Sequence, residues 1–406
     1  MTIPVAVPTV VPARGLRPLP LLTAVNFFNY MDRQVVYSMT PFIAESFGIS
    51  KFHLGLLSLV NLVVFAVASL ASGPIADRFG PRRVIFGGVF IWAVATIGSA
   101  LATSFPVLLV FRALVGVGEG AYGPSAIILL CAAADPKAQG RSLGIYNAGM
   151  AVGGSMGLFL GAILAPSIGW RGVFWIAGAP SLLLALLTVF VAAPSRLPRP
   201  HVQPTRAYLL HPTYLLMTLG GVLVTFAAAG LLFWARWLII DERGFSVVGG
   251  SILMLCIGLG CGIGGVITGG YLGDWMGHRR TGGHAFVMGI SLLAAIPVGI
   301  GCLTVRQPVA FAILTACVVF LLSIYNGPAA VVVDQLAPPQ YAATLQAVFL
   351  FSVHVLGDAP AATVVGYISG FTSVGNALLV TVVAFGLAGV MFLLVGRRQR
   401  LAGQLH

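Results

Sequence analysis

Charge is what this sequence has least of: Asp, Glu, Lys and Arg together make up 8% of its 406 residues. A soluble domain carries about 25% charged residues, because its surface faces water. A chain of 42.3 kDa with so few ionic groups cannot cover a globule with them, so its outer surface is expected to face lipid. Acid is scarcer still, with 10 Asp and Glu against 22 Lys and Arg. Cysteine is limited to five residues (Cys131, Cys256, Cys261, Cys302 and Cys317), all in or near apolar runs and without metal-ligand spacing to His. That pattern fits small apolar packing residues and excludes a disulfide frame or a metal centre. The glycine-rich run Gly258–Gly270 lacks a Walker lysine and reads as a helix-packing surface, so direct ATP use is not expected. Neither a His/Glu metal pair at helical spacing nor a serine nucleophile elbow is present, and nothing resembles a selectivity filter. An enzyme, a cofactor and a channel are therefore not expected.

What the chain has is apolar length. Hydrophobic residues make up 58% of it and the mean hydropathy is +1.00. A spanning helix needs about 20 mostly apolar residues. Twelve such stretches run over 19–44, 53–76, 84–103, 106–132, 140–165, 171–193, 213–240, 248–274, 284–305, 309–334, 341–369 and 374–396. The fold class is an all-α integral membrane protein of twelve transmembrane helices. The first stretch is too long for a cleavable signal segment and reads as retained.

The net charge of +12 sets orientation. With the N-terminus taken as cytoplasmic, fifteen Lys and Arg fall in cytoplasmic loops and tails and four outside, leaving Arg33, Arg112 and Arg236 in or at the edge of spans. That bias is the positive-inside rule, with both termini cytoplasmic and the chain multi-pass in the plasma (inner) membrane. Its partner is the lipid bilayer, and nucleic acid is not one. Arg236, between Trp234 and Trp237, is expected to snorkel into an aromatic belt.

One pattern occurs twice. Gly73-Pro-Ile-Ala-Asp77-Arg-Phe-Gly80-Pro-Arg82-Arg83 lies between spans 2 and 3, and Gly270-Tyr-Leu-Gly-Asp274-Trp-Met-Gly277-His-Arg279-Arg280 lies 197 positions later, between spans 8 and 9. Self-similarity at that offset implies two halves of six spans. The first Gly permits close helix packing, the Asp stands at a helix end, the second Gly supports a tight turn, and the paired arginines anchor the loop. The chain divides into a bundle over 1–193, a linker over 194–212 and a bundle over 213–406. The linker reads as cytoplasmic with a short surface helix.

The doubled motif resembles the signature of the major facilitator superfamily. Asn29-Tyr-Met-Asp32-Arg33, Arg112-Ala-Leu-Val-Gly-Val-Gly-Glu119 and Leu356-Gly-Asp358 resemble its Spinster branch, whose animal members export lysophospholipids and sphingosine-1-phosphate. The resemblance implies two pseudo-symmetric six-helix bundles working by alternating access, as a monomer, with gating at Gly73, Asp77, Arg78, Gly80, Arg82 and Asp274.

Charge inside a bilayer costs roughly 3 kcal/mol on insertion scales and marks a pathway or a proton relay. At ~1.5 Å rise per residue, Asp32, Arg33 and Arg112 fall near one level, with Asn61 beside them. Glu119 lies two turns deeper on the face of Arg112, near Tyr146 and Asn147. The 197-residue shift sets Ala229, Gly230, Val309 and Ala316 against Asp32, Arg33, Arg112 and Glu119, so the fold does not demand these charges. They are expected to serve coupling or recognition, the alternative being buried pairs that only fix helix packing. Glu119 and Asp32 are the expected proton-coupling acids. Arg33 and Arg112 suit an anionic head group, joined at the substrate by Asn61, Tyr146, Asn147, His354 and Asp358. The expected cargo is an amphiphilic anion with protons as co-substrate; a small organic acid is the alternative.

Overall fold

The computed structural model describes residues 16–133, 139–191, 206–336 and 342–403. Among them the chain is helical, with one backbone bridge, Leu16 to Val191, as its extended contact. Proline at the first turn presets the helical φ, and it opens α1 (Pro18–Phe47), α3 (Pro81–Ala100), α7 (Pro212–Arg236) and α11 (Pro308–Ser323). Only Gly80, at φ 85°, separates α2 (Lys51–Phe79) from α3. α4 (Phe105–Ala133) follows, and α5 (Gln139–Thr188) is two helices joined across Gly169, at φ 69°.

Residues 192–205 of the chain lie outside the described residues, and a short helix, α6 (Arg206–Leu209), precedes α7. α7 runs into a π-helical turn at Trp237–Glu242. α8 (Val247–Cys256) continues through a second π turn, Ile257–Gly262, into α9 (Ile263–Arg279). After α10 (Gly283–Thr304), α11 and α12 (Asn326–Gln335) form one broken helix. α13 (Ala342–Ser352), a third π turn at Val353–Asp358 and α14 (Ala359–Ile368) form another, before α15 (Val374–Ala377) and α16 (Leu379–Gly403).

Among the described residues, ten runs are long and apolar enough to cross a bilayer by length and composition. One, Gly144–Thr188, is the run bent at Gly169. α1 stands outside the ten, since Asn26, Asn29, Asp32, Arg33 and Gln34 lower its hydropathy, although 30 residues span about 45 Å. Dividing the bent run and adding α1 gives a helix for each of the twelve expected stretches. Val67, Leu183, Ile313 and Val383 are exposed, as side chains facing lipid should be.

The two copies of the repeated motif turn differently. In the first, Gly80 ends the helix. In the second, α9 runs straight through Gly277 and the chain turns at Gly282, φ 78°. The reason is packing: a Cβ at Gly277 would lie 2.3 Å from the His284 ring, so there the glycine makes room for a side chain instead of bending the backbone.

Small residues set the first half together. Gly149, Gly153, Gly157 and Gly161 recur every four residues along one face of α5. A Cβ at Gly153 would fall 2.1 Å from the Phe27 carbonyl oxygen, and one at Gly157 2.4 Å from that of Met31. On α4, Gly116 and Gly120 lie as tightly against the backbone of α2, and Gly118 against α3. In lipid, where tails are as apolar as leucine, this close approach replaces the hydrophobic drive between helices. It draws α1, α2, α3 and α5 around the charged residues of α1 and α4. Cys256, Cys261, Cys302 and Cys317 are free thiols.

Candidate functional site

Two buried ion pairs join α1 to α4. Arg33 Nη2 lies 2.7 Å from Glu119 Oε2, with the side chains 9% and 1% exposed. Arg112 Nη1 lies 3.6 Å from Asp32 Oδ2, the side chains 3% and 0% exposed. The adjacent residues Asp32 and Arg33 thus point to different partners, and Arg33 reaches from the level of Arg112 to that of Glu119. Burying ions costs several kcal/mol each, which mutual attraction offsets only with good geometry and further hydrogen bonds.

The two pairs differ in that support. Asp32 Oδ2 accepts from Trp92 Nε1 at 3.1 Å and Thr96 Oγ1 at 3.0 Å, both on α3. Arg112 Nη2 donates to Ser99 Oγ at 3.3 Å, and its guanidinium lies 5.0 Å from the centre of the Phe174 ring. That pair is walled in by α3 and the second arm of α5. The Arg33 guanidinium instead rests on the Tyr30 and Phe65 rings, at 5.1 and 4.9 Å. Oδ1 of Asp32, Oε1 of Glu119 and Nε of both arginines are buried without a hydrogen-bond partner. Such groups carry a desolvation cost that a change of partner relieves.

Two cavities adjoin these pairs. A polar one of about 10 Å³, water-sized, is lined by Arg33, Tyr37, Ser58, Asn61, Arg112 and Glu119 together with Val36, Leu57 and Val115. A larger one of about 400 Å³ lies between the halves. Tyr30, Gln34, Met150 and Ser155 form one wall, and Leu231, Ile239, Val318, Leu322 and Phe385 lie among the residues of the other. Among the described residues, no Asp, Glu, Lys or Arg lines it. Tyr30 faces this cavity and carries Arg33 over its ring, so the charged network ends where the apolar chamber begins.

On the face opposite that of the α9–α10 turn, the halves touch. A Cβ at Gly55 would lie 2.4 Å from Thr363 Cα, and one at Gly366 2.6 Å from the Lys51 carbonyl oxygen. Trp237 Nε1 donates to Thr40 Oγ1 at 3.0 Å, Lys51 Nζ sits over the Trp237 ring at 4.9 Å, and the Tyr37 and Phe233 rings are 4.7 Å apart.

The other expected residues take the following places. Asn61 Nδ2 donates to the Arg112 carbonyl oxygen at 3.2 Å while lining the small cavity. Tyr146 is buried, with its carbonyl oxygen accepting from Asn26 Nδ2 at 2.9 Å, whereas Asn147 is exposed and lines neither cavity. His354 Nδ1 and Asp358 Oδ2 are 2.5 Å apart on the third π turn, and the His354 ring meets Phe65 edge-on with centroids 6.0 Å apart. Gly73 and Asp77 fall in the last turns of α2, and the Asp77 side chain lies outside the described residues. Arg78 and Arg82 are exposed. Asp274 meets His284 Nε2 at 3.2 Å. Arg236 does not snorkel: it is buried, 3.1 Å from Asp241 and over the Phe42 ring at 5.1 Å, because α7 there packs against the other half and not against lipid.

Trp92, Thr96, Ser99, Tyr30 and Phe65 escaped sequence reasoning. A mid-span Trp with Thr and Ser at positions 92, 96 and 99 shares one helix face by 3.6-residue periodicity, and that stripe was the available signal. Tyr30 and Phe65 carry none beyond aromaticity.

The family model of the Major Facilitator Superfamily matches residues 22–360. A relative from Mycolicibacterium smegmatis, an MFS-type efflux pump, is 26% identical over 94% of this chain and 92% of its own length. Human protein spinster homolog 1 is 28% identical over 57% of this chain and 47% of its own length, so the match spans about half of that protein. The crystal structure of a bacterial homologue of the human lysosomal transporter Spinster, in an inward-facing and unoccupied conformation, superimposes with a TM-score of 0.84 at 24% identity, covering 94% of this chain and 97% of that one. The chain is a multi-pass membrane transport protein and not an enzyme: it belongs to the Major Facilitator Superfamily, and it is similar to Spinster proteins.

Proposed function

We propose that this protein moves an amphiphilic anion, such as a lysophospholipid or a sphingoid phosphate, by proton-coupled alternating access between two six-helix halves, 1–193 and 213–406. The observation that carries this reading is the chamber of about 400 Å³ between the halves, lined mainly by apolar side chains and meeting the charged network at Tyr30, whose ring lies under Arg33. An apolar tail buried there gains about 25 cal/mol per Å² removed from water. The anionic head lies toward Arg33, whose planar guanidinium matches phosphate or carboxylate oxygens. Glu119 carries the proton: once protonated, it releases Arg33 to the head group. Asp32, held by Trp92 and Thr96, positions Arg112.

The seal at Gly55, Thr40 and Trp237 supports a conformation open toward the face of the termini, in keeping with the solved homologue's inward-facing state. The arginine distribution makes that face cytoplasmic, in the plasma membrane, and the protein works as a monomer. A thermal-shift and binding screen over lysophospholipids, sphingoid phosphates and small organic acids tests the cargo. Saturable stabilisation by the amphiphiles is expected. Stabilisation by small organic acids alone would replace this reading with a small-anion symporter.

A further inference from the structure

The general excess of arginine on one face requires only that basic residues lie in loops. The second half has something more local. The turn between α9 and α10 and the end of α16 meet backbone to backbone: a Cβ at Gly282 would fall 2.3 Å from the Gly396 carbonyl oxygen. Arg279 and Arg280 stand just before that crossing, and Arg397 and Arg398 follow it directly. Arg400, four residues beyond Gly396, lies on the same helix face one turn further out. Arg279, Arg397, Arg398 and Arg400 are exposed, and none of the five forms an ion pair among the described residues.

Counter-charge is sparse. Asp274 is engaged by His284, and residues 337–341 and 402–406 contain no acid. Asp334, in the last turn of α12, whose Gln335 accepts from Gln399 of α16, is the one further acid nearby and forms no ion pair among the described residues. The patch also has an aromatic floor. Arg279 lies 4.0 Å over Trp275 and Arg280 3.8 Å over Phe286, while Tyr271 and Trp275 are themselves exposed on α9. Exposed Trp and Tyr mark the headgroup level of a bilayer. We propose that this crossing is a docking surface for anionic phospholipid headgroups, with the guanidinium groups holding phosphate oxygens and the α9 aromatics lying among the upper acyl carbons. Bound lipid would tie α9, α10 and α16 together at the end of the second half.

The test uses the full chain, purified in detergent and stripped of lipid. Phosphatidylglycerol should raise its melting temperature saturably, whereas phosphatidylcholine should not. Each arginine near an anionic surface contributes about fivefold in affinity. Arg280→Gln with Arg397→Gln should therefore weaken the phosphatidylglycerol response about 25-fold, and Arg306→Gln, in the loop between α10 and α11, should leave it unchanged. If the glutamine variants fail to insert, the matching lysine variants keep the charge without the planar fork and should bind with intermediate affinity. Equal stabilisation by both lipids, an undiminished response in the double variant, or full stabilisation by inorganic phosphate alone would each overturn the proposal.

Discussion

The contact between Gly55 and Thr363 offers a way to move this protein between its conformations without touching the charged network. A Cβ at Gly55 would stand 2.4 Å from Thr363 Cα, 2.5 Å from its N and 2.8 Å from the Ala362 carbonyl carbon. Ordinary carbon contacts lie at about 3.5–4.0 Å, so even alanine forces α2 and α14 apart by about 1 Å. All three clashing atoms are backbone, and no rotamer change relieves them. Overpacking of this kind costs typically 1–3 kcal/mol, and leucine stands at the upper end. The penalty falls only on the state in which these helices touch. Gly55→Leu should therefore shift the equilibrium toward the state open on the opposite face by roughly 5- to 150-fold. Ser58 is buried in the described state, and Ser58→Cys in a background lacking the five native cysteines reports the change. Its alkylation by a membrane-impermeant maleimide added from that face should accelerate by the same factor in Gly55→Leu. An unchanged rate in a variant that elutes as a folded monodisperse protein would refute the state-specific role of the contact.

Three further outcomes follow from the packing of the site. Asp32→Asn leaves Arg112 buried against a neutral partner and should cost about 3–5 kcal/mol, with Asp32→Asn plus Arg112→Met recovering most of that in a double-mutant melting cycle. Trp92→Phe removes one donor to the buried Asp32 carboxylate and should destabilise by about 1.5–3 kcal/mol in the same assay, while leaving cargo affinity unchanged. Gly299 lines the large cavity, where a Cβ would already lie 3.0 Å from the Phe385 ring. Gly299→Val should therefore lower the affinity for long-chain lysophospholipids at least tenfold more than for short-chain ones, as measured by competition.

The helical stretches were legible in the sequence because bilayer thickness imposes a length and an apolar composition on each. The intramembrane charges stood out for the same reason, since Asp32, Arg33, Arg112 and Glu119 break that composition at a cost. How they pair was not legible. Counting ~1.5 Å per residue put Asp32, Arg33 and Arg112 at one level and Glu119 at another, but an arginine and a glutamate extended toward each other close a gap of two turns, and Arg33 and Glu119 do so. Hydropathy also misjudged Arg236, because nothing in its neighbours Trp234 and Trp237 distinguishes a lipid-facing belt from a seam between halves. The motif glycines show the same limit: Gly80 turns the chain while Gly277, at the matching position, accommodates the His284 ring. The three π turns, all within the second half among the described residues, had no signal in residue type.

Coupling rests on Glu119, the acid that borders the small cavity and holds Arg33. It is tested most directly in proteoliposomes loaded with a bound amphiphile from the screen, comparing transport driven by a pH gradient with exchange at equal pH. Glu119→Gln should abolish the pH-driven accumulation and retain exchange, because the neutral side chain fixes the protonated condition without blocking the path. Accumulation that follows the pH gradient as strongly in Glu119→Gln as in the unaltered protein would contradict the account.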